Sequence, residues 1–218
     1  MHLSGSSLLI AGILVLTCAV SLAAYPLMPD RIASHWGLSG EANGYLPKAW
    51  GLSAVPLIAA TLALLFIAIP RIDPLKENIR QFRKDYDHFV AVILLFLLYL
   101  QLLVILWNLG GRFNFSQLLC PAFAILFYAT GILVGRARRN WFVGIRTPWT
   151  LSSEKVWQKT HALGGKLFRI AALVTLIGVL LPSLAPFFIL GPVLAVSAYL
   201  VVYSYVEYQG EAAPRGGG

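Results

Sequence analysis

Residues 88–108 read HFVAVILLFLLYLQLLVILWN, and after His88 this stretch contains no charged side chain. A helix needs about 20 mostly apolar residues to cross the hydrocarbon core of a bilayer, because the core is about 30 Å thick and each residue rises about 1.5 Å. The stretch meets that length, and its polar residues are uncharged. It therefore predicts a membrane-spanning helix.

Five other stretches have the same apolar character. The last two are separated by a short segment with a proline at each end, Pro182 and Pro186, which favours a helical hairpin over one very long span. The first resembles a signal peptide in length, but no Lys or Arg precedes it, so we interpret it as a retained helix. We expect an all-α membrane protein, a bundle of about six transmembrane helices, at roughly 8–27, 50–70, 88–108, 117–135, 167–185 and 187–206.

The composition excludes a soluble globule. Hydrophobic residues make up 58% of the 218 residues and charged residues 12%, whereas a soluble domain has about 25% charged residues. The net charge of +8 would also suit a nucleic-acid-binding protein. Here the basic residues flank the apolar stretches, which indicates orientation in an anionic membrane. The expected partner is therefore the lipid bilayer, with no direct nucleic acid.

Most of the 17 Lys and Arg residues lie in two segments between spans, 71–87 and 136–169, and Arg215 lies in the tail. The positive-inside rule places such segments in the cytoplasm, so both the N and the C terminus are predicted to be cytoplasmic. Apolar residues spaced by three or four in 75–89 predict an amphipathic helix that lies on the membrane or extends the third span. The predicted units are 1–70 (a helical hairpin with an external loop, 28–49), 71–135 (the amphipathic segment and a central helical hairpin), 136–166 (a cytoplasmic loop), 167–206 (the C-terminal helical hairpin) and 207–218 (a disordered tail).

The external loop combines polar residues with aromatic residues that suit a membrane interface. Asn43-Gly44 is a strong turn signal, because both residues tolerate positive φ. An acid, a histidine and a second acid within twelve positions allow a metal or proton site, but a folded polar loop capped by aromatic residues, with a structural role alone, is the favoured interpretation. Among functional interpretations, a ligand surface that faces the outside is the more natural. The candidate ligand-binding residues are Asp30, Arg31, His35, Glu41 and Asn43.

The segment 140–161 is the most distinctive polar stretch of the chain. Ser152 or Ser153 is expected to cap a short helix, on which Trp157, Thr160, His161 and Gly164 would share one face. Two interpretations stay open: the tryptophans anchor the loop at the membrane interface, or the loop is a surface that binds a partner. The candidate residues are Asn140, Gly144, Arg146, Thr147, Pro148, Trp149, Thr150, Trp157, Thr160 and His161.

The central parts of the six stretches contain no Asp, Glu, Lys or Arg. Their absence argues against a proton pump, a channel with a charged filter and an intramembrane hydrolase, because such functions retain charged groups despite their insertion cost. Gln101 and Asn108 share one helix face and are expected to form interhelical hydrogen bonds. Cys18 and Cys120 both lie in apolar stretches, so neither a disulfide nor a thiolate metal site is expected. We expect no enzymatic activity, catalytic residue, metal or cofactor.

Two motifs carry a family resemblance. Pro29-Asp30-Arg31-Ile32, His35-Trp36 and Asn43-Gly44 resemble the DUF1648 domain, except that Ala33 stands where proline is expected. Asn140-Trp141, the run from Gly144 to Thr150, Val156-Trp157 and Thr160-His161 resemble the signature of the SdpI family of bacterial immunity proteins.

The resemblance implies a multi-pass protein of the bacterial inner membrane. It also implies resistance to a secreted toxic peptide on the outer side and signal transduction by sequestration of a cytoplasmic transcriptional repressor. Two other functions remain open from the residues alone. One is a small transporter or flippase, and the other is a membrane-embedded enzyme that uses His161, His88 or His35 with a nearby acid.

Overall fold

The computed structural model describes residues 5–212. Within that range, six helices are long and apolar enough to cross a membrane, as predicted. Two short helices and two β-strands lie between them. The elements in chain order are α1 (Gly5–Ala24), β1 (Arg31–Trp36), β2 (Ala42–Pro47), α2 (Lys48–Ile72), α3 (Lys76–Gln81), α4 (Arg83–Asn108), α5 (Phe115–Arg136), α6 (Pro148–Ser152), α7 (Glu154–Leu176) and α8 (Ala185–Ala212).

The six long helices alternate in direction, so the connections fall at two ends. One end carries β1, β2 and the turns after α4 and α7, and we call it the hairpin end. The other carries α3, α6 and the loop between α5 and α6, together with most of the arginines and lysines, and we call it the basic end.

The segment between α1 and α2 is an antiparallel β-hairpin, so a small sheet is added to the predicted all-α bundle. Its turn runs from Gly37 to Glu41, with the Gly37 N–H donating to the Glu41 carbonyl at 3.0 Å. Gly40 has a φ of +81°, which favours glycine. The predicted turn at Asn43-Gly44 is wrong: Gly44 lies in β2 opposite His35, where the strand register shifts.

The amphipathic stripe predicted over 75–89 does not form one continuous helix. The chain breaks at Phe82, between α3 and α4, and α4 begins at Arg83. The apolar side chains of the stripe point into the protein, since Ile79, Phe82 and Tyr86 are buried. The Tyr86 hydroxyl also donates to the Phe66 carbonyl at 2.7 Å. The stripe therefore packs against the bundle and does not lie on a leaflet.

The fifth long helix starts earlier than the sequence predicted. α7 runs unbroken from Glu154, because Ser153 caps it by accepting from the Val156 N–H and neither glycine nor proline stops it before Leu176. The predicted boundary at residue 167 is wrong, and the face with Trp157 and His161 belongs to the long helix rather than to a separate short one.

α5 and α7 cross at glycine residues on both helices. A Cβ atom added to Gly165 would lie 2.8 Å from Gly135 Cα and 2.9 Å from the Gly131 carbonyl oxygen. Glycine at these positions lets the two backbones approach, the usual way for helices to pack in a membrane. The crossing fixes the middle of α7 against the end of α5.

Residues 207–212 belong to α8, so the predicted disordered tail is wrong for that part, and residues 213–218 lie outside the described residues. Two contacts hold the end of α8 to the start of α7. Lys159 pairs with Glu207 at 2.5 Å, and Ser153 Oγ donates to the Glu211 carboxylate. These contacts extend the helix beyond the apolar stretch that ends near residue 206.

Candidate functional site

The β-hairpin is tied to the bundle by the end of α4. The Asn108 amide accepts from the Ala33 N–H at 2.7 Å and donates to the Ala33 carbonyl at 3.1 Å. The partner of Asn108 is β1, a strand, so the predicted interhelical hydrogen bond is wrong for Asn108 and is confirmed for Gln101. Gln101, seven residues earlier, donates to Ser21 Oγ at 2.8 Å and to the Leu52 carbonyl at 3.1 Å. The polar face of α4 therefore joins α1, α2 and β1 to one helix.

The hairpin is also packed on α5. The ring of Trp36 stacks on Phe115 with centroids 3.8 Å apart and meets Trp107 edge to face. Asn114 donates to the Ser39 carbonyl at 3.1 Å and caps the first turn of α5 by accepting from Gln117. The hairpin is thus a rigid structure on the ends of α4 and α5.

All five candidate residues of the hairpin end are exposed. His35 Nδ1 and Asn43 Oδ1 are 2.5 Å apart across the two strands, and Arg31 donates to the Tyr45 carbonyl at 3.3 Å. Asp30 pairs with Lys48 at 3.3 Å at the foot of the hairpin. The structure therefore brings together His35 and Asn43.

Asp30, His35 and Glu41 do not converge. Within residues 5–212, no group of three His, Cys, Asp or Glu side chains is arranged to hold a metal ion. The hairpin is instead a mixed surface, in which charged and amide groups alternate with exposed apolar side chains such as Leu38 and Tyr45. Such a surface has the chemistry to bind an amphipathic peptide.

At the basic end, the loop between α5 and α7 (residues 137–153, the basic-end loop) folds around the Asn140 side chain. This amide is fully buried and makes four hydrogen bonds. Its nitrogen donates to the carbonyls of Arg138 and Val143, and its oxygen accepts from the N–H groups of Phe142 and Val143, all at 2.6–2.9 Å. One side chain therefore replaces the regular backbone pairing that the loop lacks.

His161 and Trp157 of α7 form the wall on which this loop packs. Their rings stack with centroids 3.8 Å apart. His161 Nδ1 donates to the Trp157 carbonyl at 2.9 Å, while Nε2 accepts from the Ile145 N–H at 3.0 Å, which requires the neutral Nδ1-protonated ring. Trp157 Nε1 donates to the Ala137 carbonyl at 2.9 Å. The two rings thus bind the loop at its first residue and at its middle.

Gly144 is needed for that arrangement. Its φ is +115°, and an added Cβ would lie 2.4 Å from His161 Nε2. A glycine gives the backbone the required conformation and lets it pass over the imidazole. Gly144 and His161 were both candidates from the sequence, and in the structure the Gly144 backbone lies directly against the His161 ring.

The second half of the loop is a capped turn of helix. Thr147 and Thr150 form a reciprocal capping box, and Pro148 occupies the first turn of α6. Thr150 Oγ1 also donates to the Ile145 carbonyl at 2.8 Å, and Thr147 Oγ1 lies 3.0 Å from Ser204 Oγ of α8. The two threonines therefore fasten the loop to itself and to α8.

Two residues that the sequence analysis did not single out attach the loop to the other half of the bundle. Asp73 is almost fully buried and accepts from the N–H groups of Leu75, at 2.6 Å, and Trp141, at 2.9 Å. Asn78 donates to the Arg139 carbonyl at 2.7 Å. The one local signal was Asp73 followed by Pro74, a pair that marks a turn.

Six of the ten candidate residues of the basic end are buried inside the fold, including Thr147, which is 7% exposed. Asn140, Thr150, Trp157, Thr160 and His161 are each no more than 2% exposed. The part of the loop accessible to a partner is different: Trp141 is 51% exposed, Phe142 is 38% exposed, and Arg146 is exposed and donates to the Trp141 carbonyl at 2.7 Å.

The remaining candidates lie beside this exposed part. Pro148 is exposed at the start of α6, and Trp149 packs against Tyr205 of α8 with ring centroids 5.1 Å apart. We call Trp141, Phe142 and Arg146 the exposed loop face.

α4 and α5 connect the hairpin end with the basic end. At the hairpin end they hold β1 through Asn108 and Phe115, and at the basic end they are joined to each other by an ion pair between Asp85 and Arg136. Ala137, next to Arg136, receives the Trp157 hydrogen bond. α4 and α5 therefore span the distance between the hairpin and the start of the basic-end loop.

The comparisons with known proteins cover the same two ends. Residues 136–205 match the model of the SdpI/YfhL protein family, and residues 12–60 match DUF1648, a domain of unknown function. The Immunity protein SdpI of Bacillus subtilis (strain 168) is 24% identical to the chain over 196 residues, which make up 90% of this chain and 91% of that protein. No solved structure gives a significant match.

Proposed function

We propose, on the premise that this multi-pass membrane protein belongs to the SdpI/YfhL family, that it is an immunity protein of the bacterial inner membrane. In this proposal it gives the cell resistance to a secreted toxic peptide. The observation that carries the proposal is the presence of two folded polar ends on a bundle with an uncharged centre. The hairpin is fastened to α4 and α5, and the basic-end loop follows α5 and is hydrogen-bonded to α7.

The hairpin end would face the outside. The positive-inside rule supports this orientation, since the arginines and lysines are concentrated at the basic end. Both termini would then lie in the cytoplasm. A reporter that is active only in the cytoplasm, fused after Gly218, is expected to be active, and the same reporter inserted after Ser39 in the hairpin turn is expected to be inactive. The reverse pattern would refute the orientation.

The hairpin would bind the peptide. Two features support this role: its rigid attachment through Asn108 and Trp36, and its mixture of exposed polar and apolar side chains. A surface that is already rigid loses little conformational entropy on binding. His35, Asn43 and Tyr45 on the exposed side of the strands are the proposed contacts, with Arg31 and Glu41 at the two ends of the surface.

The basic-end loop would bind a cytoplasmic transcriptional repressor through its exposed loop face. Trp141 and Phe142 offer apolar contact area, and Arg146 offers a guanidinium group for an acidic partner. For toxin to control this interaction, the peptide must prefer one of two arrangements of the bundle, because a ligand shifts an equilibrium only through differential affinity. The path through α4 and α5 supplies a physical connection for such a change.

Mixed culture tests the immunity proposal even where the peptide has not been identified. Cells of the source strain that lack the gene are grown with wild-type cells, which secrete the peptide. The deletion strain is expected to be killed, and the intact gene is expected to restore survival. Full survival of the deletion strain would refute immunity.

A matched pair of variants locates the protective surface. The double substitution His35→Ala with Glu41→Ala removes two exposed hairpin side chains and is expected to abolish protection at unchanged protein level. Glu77→Ala with Arg80→Ala removes an exposed ion pair at the opposite end and is expected to leave protection intact. Equal protection by both would exclude the hairpin as the binding surface.

A further inference from the structure

A groove runs along the outside of the bundle between α4, α5 and α7. Its volume is about 660 Å³, which lies within the range of about 300–1,000 Å³ that is typical of small-molecule sites. Its walls are apolar along almost their whole length, with Phe89, Val92, Ile125, Ile132 and Leu173 among the lining side chains. These walls belong to the membrane-crossing helices, so acyl chains surround the groove.

The groove ends in a polar site. Asp85, His88 and Arg136 line its basic end, where the Asp85–Arg136 ion pair has a distance of 2.5 Å. A second cavity of about 590 Å³ shares Asp85 and Arg136 with the groove and is lined by polar groups that include Arg138 and Gln158. The apolar groove and the polar cavity therefore meet at the Asp85–Arg136 ion pair. An amphiphile could bind with its apolar chain in the groove and its polar headgroup in the cavity.

The length of the groove fits one leaflet of a bilayer. On α5 it extends from Pro121 to Arg136, which at about 1.5 Å per residue is about 22 Å. Half of a bilayer, including its headgroup region, is also about 20–22 Å thick. A lipid in the leaflet at the basic end would therefore place its headgroup at Arg136 and the ends of its acyl chains near Pro121.

The apolar surface continues beyond the groove toward the hairpin end. A second apolar recess of about 280 Å³ shares Val92, Pro121 and Ile125 with it and continues along α4 to Tyr99. The groove and the recess together offer a continuous apolar surface along α4 and α5 for the acyl chains of a lipid.

The charges at the polar site favour an anionic headgroup. Arg136 is 65% exposed and Arg138 is exposed, whereas the carboxylate of Asp85 is only 16% exposed. A guanidinium has five N–H donors in a fork that matches phosphate oxygens, so Arg136 retains donors for a phosphate while one of them pairs with Asp85. The two arginines outnumber the single acid.

We propose that this groove binds one anionic phospholipid of the surrounding leaflet, with its acyl chains along α4 and α5 and its phosphate on Arg136, beside Arg138. The bound lipid would fill the space between α4, α5 and α7 next to the ion pair that joins α4 to α5. The proposal does not rest on toxin binding, and its test measures lipid alone.

The test uses the full-length protein purified in detergent and observed by native mass spectrometry. Phosphatidylglycerol and phosphatidylcholine with identical acyl chains are added separately, and the bound fraction is titrated. Phosphatidylglycerol is expected to bind at least about tenfold more tightly than phosphatidylcholine. The phosphate of either lipid can accept charge-assisted hydrogen bonds from Arg136, but the choline group of phosphatidylcholine adds a positive charge that the two arginines repel. Equal binding of the two lipids would overturn the proposal.

Three variants separate headgroup binding from damage to the fold. Arg136→Gln is expected to weaken phosphatidylglycerol binding about tenfold. Asp85→Asn removes the internal competitor for Arg136 and is expected to strengthen binding, a gain that misfolding cannot produce. Ala129→Phe fills the groove and is expected to weaken binding of both lipids.

The matched controls are Arg80→Gln, which removes an exposed charge at the same end, and Ala198→Phe, which adds an exposed ring on α8. Both are expected to bind lipid as the unchanged protein does. Helix content by circular dichroism and elution volume establish folding for every variant. Unchanged binding in folded Arg136→Gln, or weaker binding in Asp85→Asn, would refute the assignment of the phosphate to Arg136.

Discussion

Replacing Asn140 by alanine tests whether one buried amide holds the basic-end loop together. The substitution removes four hydrogen bonds, of which the two to Val143 lie in the buried interior of the loop and the other two are partly accessible to water. Water can replace the accessible pair, so the two buried bonds dominate. At about 1–2 kcal/mol for each buried bond, the loop should lose about 2–4 kcal/mol of local stability.

Amide hydrogen exchange of the loop peptides measures this loss directly. Exchange of a protected amide follows the population of the locally open state, so the expected cost corresponds to about 30- to 700-fold faster exchange at Phe142 and Val143. Ser152→Ala is the matched control, since its hydroxyl is exposed and donates only to the Pro148 carbonyl at 2.7 Å. It should leave exchange at these amides unchanged.

The pattern of exchange matters as much as its rate. The α5–α7 crossing does not depend on Asn140, so amides in the middle of α5 and α7 should stay protected. Unchanged exchange at Val143 in Asn140→Ala would show that the other contacts of the loop, such as those of Trp157, His161 and Asp73, hold it without the Asn140 amide. Faster exchange throughout the bundle would show that loop and bundle unfold as one unit. Either result would refute the reasoning.

Three further substitutions test the other contacts. Gly144→Ala places a side chain at a φ of +115° and against His161, and the backbone strain alone should cost about 1–3 kcal/mol, measured as faster exchange in the loop. Asn108→Ala frees β1 from α4, and cleavage within the hairpin by a protease should rise about 5- to 150-fold for a loss of about 1–3 kcal/mol. Gly165→Leu forces a side chain into Gly135, and overpacking should lower the free energy of unfolding by about 1–3 kcal/mol, measured by thermal unfolding in detergent.

Gly12→Ala and Gly191→Ala serve as controls for the glycine variants, because an added Cβ at either position meets no atom within 4 Å. Both should keep the exchange and thermal unfolding of the unchanged protein. If Gly165→Leu were as stable as these controls, α5 and α7 could move apart without a loss of free energy of unfolding, and the reasoning about their close packing would be wrong. If the hairpin of Asn108→Ala resisted the protease as the unchanged protein does, Asn108 would not be needed to hold it, and the stacking of Trp36 on Phe115 would be the main attachment.

The six spans were predictable because a single physical requirement, burial of about 20 apolar residues in lipid, leaves a strong signal in the sequence. Their ends were less predictable. The start of α7 is polar, and nothing local in residues 154–166 shows whether a capped helix stops or continues into the next span. The end of α8 depends on Lys159 and Ser153, more than forty residues away.

The hairpin shows a different limit. Asn43-Gly44 is a local turn signal, but it was outweighed by the pairing of β1 with β2 and by the turn that Gly40 permits four residues earlier. Within the basic-end loop, the sequence identified Asn140, Gly144 and His161 without indicating which residues they contact. Asp73 was missed because its partner, the Trp141 N–H, lies 68 positions away in the chain.

The burial of the basic-end residues changes how functional variants should be interpreted. Loss of the proposed immunity in a variant of Asn140 or His161 does not by itself identify a binding residue, because both side chains are buried and hold backbone groups of the loop. Arg146 is exposed, and its contact is a single hydrogen bond to Trp141. Arg146→Ala should therefore leave exchange at Val143 unchanged and abolish repressor recruitment to the membrane. Normal recruitment in that variant, with Phe142→Ala also normal, would mean that the exposed loop face is not the partner surface.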